Sequence, residues 1–77
     1  MTLAELSRGQ SGVVQLVDAT DEVGVRLLEM GLTPGSEVAY VGAAPLGDPL
    51  EFQVRGYRLS LRKSEAARVE ITLSDAG

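Results

Sequence analysis

The 77 residues, 44% of them apolar, suffice for one domain with one shared core, because a fold of this size buries only about 60% of the surface its unfolded chain exposes. Without cysteine or histidine the chain can build neither a disulfide scaffold nor a thiolate or imidazole metal site, and it lacks the commonest general base, so it is not expected to be an enzyme. The net charge of −4 argues against nucleic acid as a partner, since a phosphate backbone calls for a surplus of Lys and Arg.

The amino terminus has Glu5 before any basic residue and no apolar run, which is the wrong composition for an export signal. Thr2 and Glu5 have capping-box spacing and Leu3 and Leu6 share a face, which predicts a short N-terminal helical turn ended by Gly9. Val13 to Val17, rich in β-branched residues and bounded by Gly12 and Asp18, predicts a first strand. Next, Val23, Leu27 and Met30 fall at i, i+4 and i+7, with Glu22, Arg26 and Glu29 opposite, so one amphipathic α-helix is expected over roughly 21–30. Thr20 or Asp21 suits its N-cap. Gly31 suits the left-handed position after its end, with Leu32 as the hydrophobic contact that follows such a cap. Pro34 and Gly35 then force a turn.

Ser36 to Ala43 reads as β structure. Pro45, Gly47, Asp48 and Pro49 form a turn cluster that no helix passes through, with Asp48 expected to bond neighbouring backbone amides. Leu50, Phe52 and Val54 alternate with Glu51, Gln53 and Arg55, then Leu59 and Leu61 with Arg58, Ser60 and Arg62; Gly56 between them is the hairpin turn. Lys63 to Ala67 breaks the alternation as a single helical turn, and Val69, Ile71 and Leu73 alternate with Glu70, Thr72 and Ser74 as a last strand. The class is therefore mostly β. About five short strands with one inserted helix suit a small closed or nearly closed barrel, which also removes exposed sheet edges. Residues 1–77 form a single domain, with 74–77 expected as a frayed tail. No apolar run approaches the roughly 20 residues that span a bilayer, so a cytoplasmic domain without membrane insertion is expected.

Charge is unevenly placed. Arg55, Arg58, Arg62, Lys63 and Arg68 gather toward the C-terminus, while Asp18, Asp21, Glu22 and Glu29 crowd the first half. The plainer reading is solvated faces; the sharper one is a basic patch that meets an acidic partner. Asp18, Asp21 and Glu22 form a carboxylate group, yet helix capping and the helix dipole account for Asp21 and Glu22. Ferrous iron also favours at least one imidazole, so neither a metal ligand nor a cofactor is expected.

Arg26 to Gly35 reads RLLEMGLTPG, Pro45 to Val54 reads PLGDPLEFQV and Leu61 to Ala66 reads LRKSEA. In this order and spacing, with Leu3, Leu6, Gly9 and Gly12 ahead of them, these segments resemble the FeoA family over residues 3 to about 73. The resemblance implies an SH3-like β-barrel with a helix in the first long connection. It also implies an accessory role in bacterial ferrous iron uptake, with the membrane transporter FeoB and its cytosolic GTP-binding domain as partner. The same module resembles the C-terminal domain of iron-dependent repressors, so the alternative is a free-standing regulatory domain that binds a peptide or another domain. Gly31, Pro34, Gly35, Pro45, Gly47, Asp48, Pro49 and Gly56 are assigned to turns. The partner-binding candidates are Leu28, Met30, Leu32 and Leu46, on a surface formed by the helix end and the 45–49 loop, with Arg55 and Arg58 facing an acidic surface. Edge strands and the apolar patch permit weak self-association without requiring it.

Overall fold

In the computed structural model, which describes residues 1–74, the chain folds as one five-stranded antiparallel sheet with two helices and an N-terminal 3₁₀ turn, Leu3–Glu5. The strands are β1 (Ser11–Val17), β2 (Glu37–Ala43), β3 (Leu50–Val54), β4 (Tyr57–Leu61) and β5 (Val69–Leu73), in the spatial order β4-β3-β2-β1-β5. Helix α1 (Glu22–Glu29) lies in the first long connection, and the short α2 (Lys63–Ala66) joins β4 to β5. The expected class and element order are present, but the expected removal of exposed edges is not, because β4 ends the sheet without a further strand beside it.

The amino terminus folds by the capping geometry its sequence carries. Glu5 Oε2 accepts the Thr2 N–H at 2.8 Å, and this turn delivers Leu3 and Leu6 to the core. The turn ends at Glu5, however, not at Gly9; Leu6 is already extended, and Gly9 belongs to a second turn in which Gln10 N–H donates to the Ser7 carbonyl at 3.0 Å. Strand β1 starts at Ser11 instead of Val13. Gly12, a poor strand former by propensity, is drawn in by pairing with Val38 and by Ile71, whose Cβ lies 3.2 Å from where a Gly12 side chain would begin.

Asp21 caps α1 as expected, with extended backbone and a 3.1 Å hydrogen bond from Gly24 N–H to its Oδ1. At the other end Gly31 adopts φ +102°, Gly31 N–H donates to the Leu28 carbonyl at 3.0 Å, and Leu32 N–H donates to the Leu27 carbonyl at 3.3 Å. That crossing of bonds drives Leu32 inward, where it is fully buried beside Leu27.

The sheet curls over one core. Register slips between Val14 and Leu16 in the β1–β5 pair, and between Tyr40 and Gly42 in the β2–β3 pair, bend the strands around Phe52, Val38, Val54, Leu61 and Val69. Ala66 of α2 enters the same core. The β3–β4 hairpin turns on two residues, Arg55 and Gly56, both with positive φ (45° and 87°), so Arg55 leaves the strand it was expected to end and joins the turn. In the loop before β3 the Asp48–Pro49 peptide bond is cis. Asp48 accepts the Lys63 N–H at 2.9 Å, bridging to the start of α2 instead of bonding neighbouring amides. Ser74, expected to begin a frayed tail, is tied to β1 and β2: its N–H donates to the Ser11 carbonyl and its hydroxyl to Glu37 Oε2, each at 2.8 Å. The rest of that expected tail, 75–77, lies outside the described residues.

Candidate functional site

The carboxylates of the first half serve the fold. Asp18 Oδ1 accepts from the Thr20 hydroxyl at 2.9 Å and its amide at 3.3 Å, an arrangement that closes the turn into α1. Arg68 Nη2 lies 2.5 Å from Asp21 Oδ1 and donates to the Asp18 carbonyl at 3.1 Å, clamping the start of α1 to the start of β5. The Arg68 guanidinium, and after it the Gly24 amide, hold the Asp21 carboxyl below its usual range; the same contact raises Arg68. Among the described residues no three Asp, Glu, His or Cys side chains come together in a group that could hold a metal ion.

The apolar candidates do not form one surface. Leu32 is fully buried and belongs to the core, which corrects its assignment as a partner anchor. Leu28 and Met30 are partly buried and pack against that core, whereas Leu46, 97% exposed, stands at the tip of the 45–49 loop. The helix end meets the hairpin end of β4, where the Tyr57 hydroxyl donates to the Met30 carbonyl. The loop is bonded through Asp48 to Lys63, beyond the other end of β4. The length of that strand therefore separates Leu46 from Met30. Tyr57, absent from the sequence candidates, is 42% exposed; its only sequence signal is a phenol, which seeks a partner wherever its ring is half covered. Gly31, Gly35, Gly47 and Gly56 all adopt positive φ, while Pro34, Pro45 and Pro49 lie outside every strand and helix.

The basic candidates lie on the hairpin. Arg58 is two-thirds exposed; its Nε donates to Gln53 Oε1 at 3.2 Å, and its guanidinium stands 3.9 Å from Glu51. Register places Ser11, Ala39, Gln53 and Arg58 in one row across β1, β2, β3 and β4. Where that row is short, at Ser11 and Ala39, the sheet surface carries a depression of about 380 Å³, lined by Ser11, Glu37, Ala39, Gln53 and Arg55. Arg55 thus connects this depression to the hairpin and its arginines.

Comparison with known proteins gives a consistent result. The family profile described as the FeoA domain matches residues 1–73. The chain is 37% identical over 73 residues, 95% of its length, to the Fe(2+) transport protein A/Fe(2+) transporter FeoB fusion protein of Porphyromonas gingivalis, of which it spans only 9%. A solved FeoA from Stenotrophomonas maltophilia, complexed with zinc and described as a prokaryotic SH3 domain protein, is 43% identical, with a TM-score of 0.82 over 94% of this chain and 89% of that one. A manganese-dependent transcriptional repressor in complex with manganese, 13% identical, has a TM-score of 0.86 over 96% of this chain and 36% of that one, a likeness of fold alone.

Proposed function

The chain belongs to the FeoA family, which is linked to ferrous iron transport, and from that premise we propose that it is a cytoplasmic accessory protein that acts by binding the FeoB transporter. The observation that carries this reading is the Porphyromonas gingivalis relative, in which a domain 37% identical to this one shares a polypeptide with FeoB. Covalent fusion holds two domains at high effective concentration. The chemistry supports a binding role: the chain has neither histidine nor cysteine, and its paired carboxylates are occupied with capping and with Arg68. No helix among the described residues is long and apolar enough to cross a membrane, so contact with the transporter would be made from outside the bilayer core.

The test is titration calorimetry of this protein against its organism's FeoB at moderate salt, with and without guanine nucleotide. Saturable binding supports the reading, and a difference between nucleotide states shows that the GTP-binding domain gates it. Absence of binding to full-length transporter in every nucleotide state overturns it and moves the weight to a regulatory domain that binds a peptide or another domain.

A further inference from the structure

The two ends of the sheet differ. At β5 the outer edge is covered, because Ile71 N–H donates to the Met1 carbonyl at 2.8 Å and Thr2 bridges Glu70. At β4 it is open. Val54 and Tyr57 flank a two-residue turn, so Tyr57, Leu59 and Leu61 direct their backbone groups toward β3, while Arg58 and Ser60 direct theirs away from it. Among the described residues no backbone or side-chain group bonds those outward amides and carbonyls, and both residues are exposed. An unpaired edge of this kind is a template for one more strand.

Charge identifies the occupant. Arg55 and Arg58 stand at one end of β4 and Arg62 and Lys63 at the other, so a chain of net charge −4 carries a strip of four cations on the residues that flank this edge, with the Arg58 guanidinium lying over Gln53 and Glu51 of β3 and Arg55 lining the depression. Arg58 alone of the four has an ion-pair partner among the described residues, the exposed Glu51. Arg55 occupies φ 45°, a turn position where asparagine or glycine fits with less strain, so the hairpin holds its cation at a conformational cost. A second copy would bring the same strip against itself, which like-charge repulsion across paired strands opposes. Nucleic acid has no backbone N–H and C=O ladder to match the edge. On the inner side of β4 the half-exposed Tyr57 ring offers a surface to an apolar residue of the incoming strand.

We infer that the outer edge of β4 docks an extended, acidic segment of the partner, which joins the sheet as an added strand with its carboxylates beside Arg55, Arg58 and Arg62. The inference rests on the FeoB reading above, and the partner segment is one that alternates acidic and apolar side chains.

The experiment measures affinity for detergent-solubilised FeoB, together with amide exchange of the full chain in the complex. Ser60→Pro deletes an outward N–H that the fold does not use, a change an edge strand tolerates. Arg58→Glu reverses one of the strip's four charges and covers the case in which the proline variant fails to fold. Each is expected to weaken FeoB binding about tenfold or more, and the Arg58 and Ser60 amides of the wild-type protein are expected to become protected in the complex. Wild-type binding that both variants retain, without protection of those amides, overturns the inference and leaves the FeoB reading standing. Failure of the wild-type protein to bind FeoB removes both. Protection of the same amides that rises with protein concentration alone, or on adding a single-stranded oligonucleotide, assigns the edge to a second copy or to nucleic acid and overturns the inference.

Discussion

The Tyr57 hydroxyl occupies the space that a β-carbon on residue 31 would need, while it donates to the carbonyl of Met30 one residue earlier. Glycine at 31 is therefore required twice, by φ +102° and by the phenol packed over it. Tyr57→Phe is expected to cost about 0.5–1.5 kcal/mol for the lost hydrogen bond. Gly31→Ala is expected to cost more, since roughly 1–2 kcal/mol of backbone strain adds to displacement of the phenol. In the double variant the alanine should cost measurably less than in the wild-type background. Urea denaturation of the four proteins reads this coupling, and strictly additive losses would separate the two effects.

Gly24 offers a test in which local propensity and packing predict opposite signs. In an exposed helix position Gly→Ala stabilises by about 1 kcal/mol. Here a Gly24 side chain would point at the backbone of Asp18 and Ala19, with the Asp18 carbonyl carbon only 2.8 Å away. Backbone cannot swing aside as a side-chain tip can, so Gly24→Ala is expected to destabilise by about 1–3 kcal/mol and to loosen the turn into α1. A rise in the thermal midpoint would show that α1 can move off this turn freely.

The Asp21–Arg68 contact predicts a pH dependence of definite sign. The folded-state pKa of Asp21 lies below its unfolded value, so the carboxylate contributes stability above the unfolded pKa, near 3.9, and that contribution is lost as pH falls through the lower folded value. Stability profiles of wild type and Asp21→Asn are expected to diverge above pH 4 and to converge in stronger acid. Parallel profiles through that range would show that the pair adds nothing beyond the neutral cap.

Local periodicity made most of the fold legible. The alternation of Leu50, Phe52 and Val54 and the spacing of Val23 and Leu27 place strand and helix without tertiary information, and Asp21 and Gly31 mark the helix ends by chemistry that acts within one turn. What sequence left unread depends on long-range contact. Asp48 finds its donor 15 residues away and Tyr57 its acceptor 27 residues away, and neither distance has a compositional signature. The bulges after Val14 and Tyr40 leave no mark either, because a slipped register alters pairing and not residue type. Sequence alone places Leu32 at the surface, although the capping geometry that the same sequence signals at Gly31 is what buries it. Leu46 and Met30 read as one patch in sequence because sequence gives no measure of the strand that separates them.

Leu46 separates stability from binding. At 97% exposure it contributes little to the core, so Leu46→Ser is expected to leave the unfolding free energy unchanged to within about 0.5 kcal/mol. Because the loop tip lies beyond the far end of β4 from Tyr57, a loss of FeoB affinity in this variant without loss at Arg58 would place the contact at the loop instead of the hairpin.

Arg55 gives the sharpest separation of fold from function, because one substitution is expected to move the two in opposite directions. Its φ of 45° and the following Gly56 at 87° define a turn that Asn-Gly fills with less strain, so Arg55→Asn should raise stability by about 1 kcal/mol. The same change removes a cation from the open edge and from the depression beside Glu37 and Gln53, so affinity for FeoB should fall, and the fall should shrink as salt is raised. Chemical denaturation and calorimetry on the same preparation read both quantities. A variant that is more stable and binds as before would assign the arginine to neither fold nor partner, whereas one that is less stable would show that the guanidinium holds the hairpin through contacts that outweigh its backbone strain.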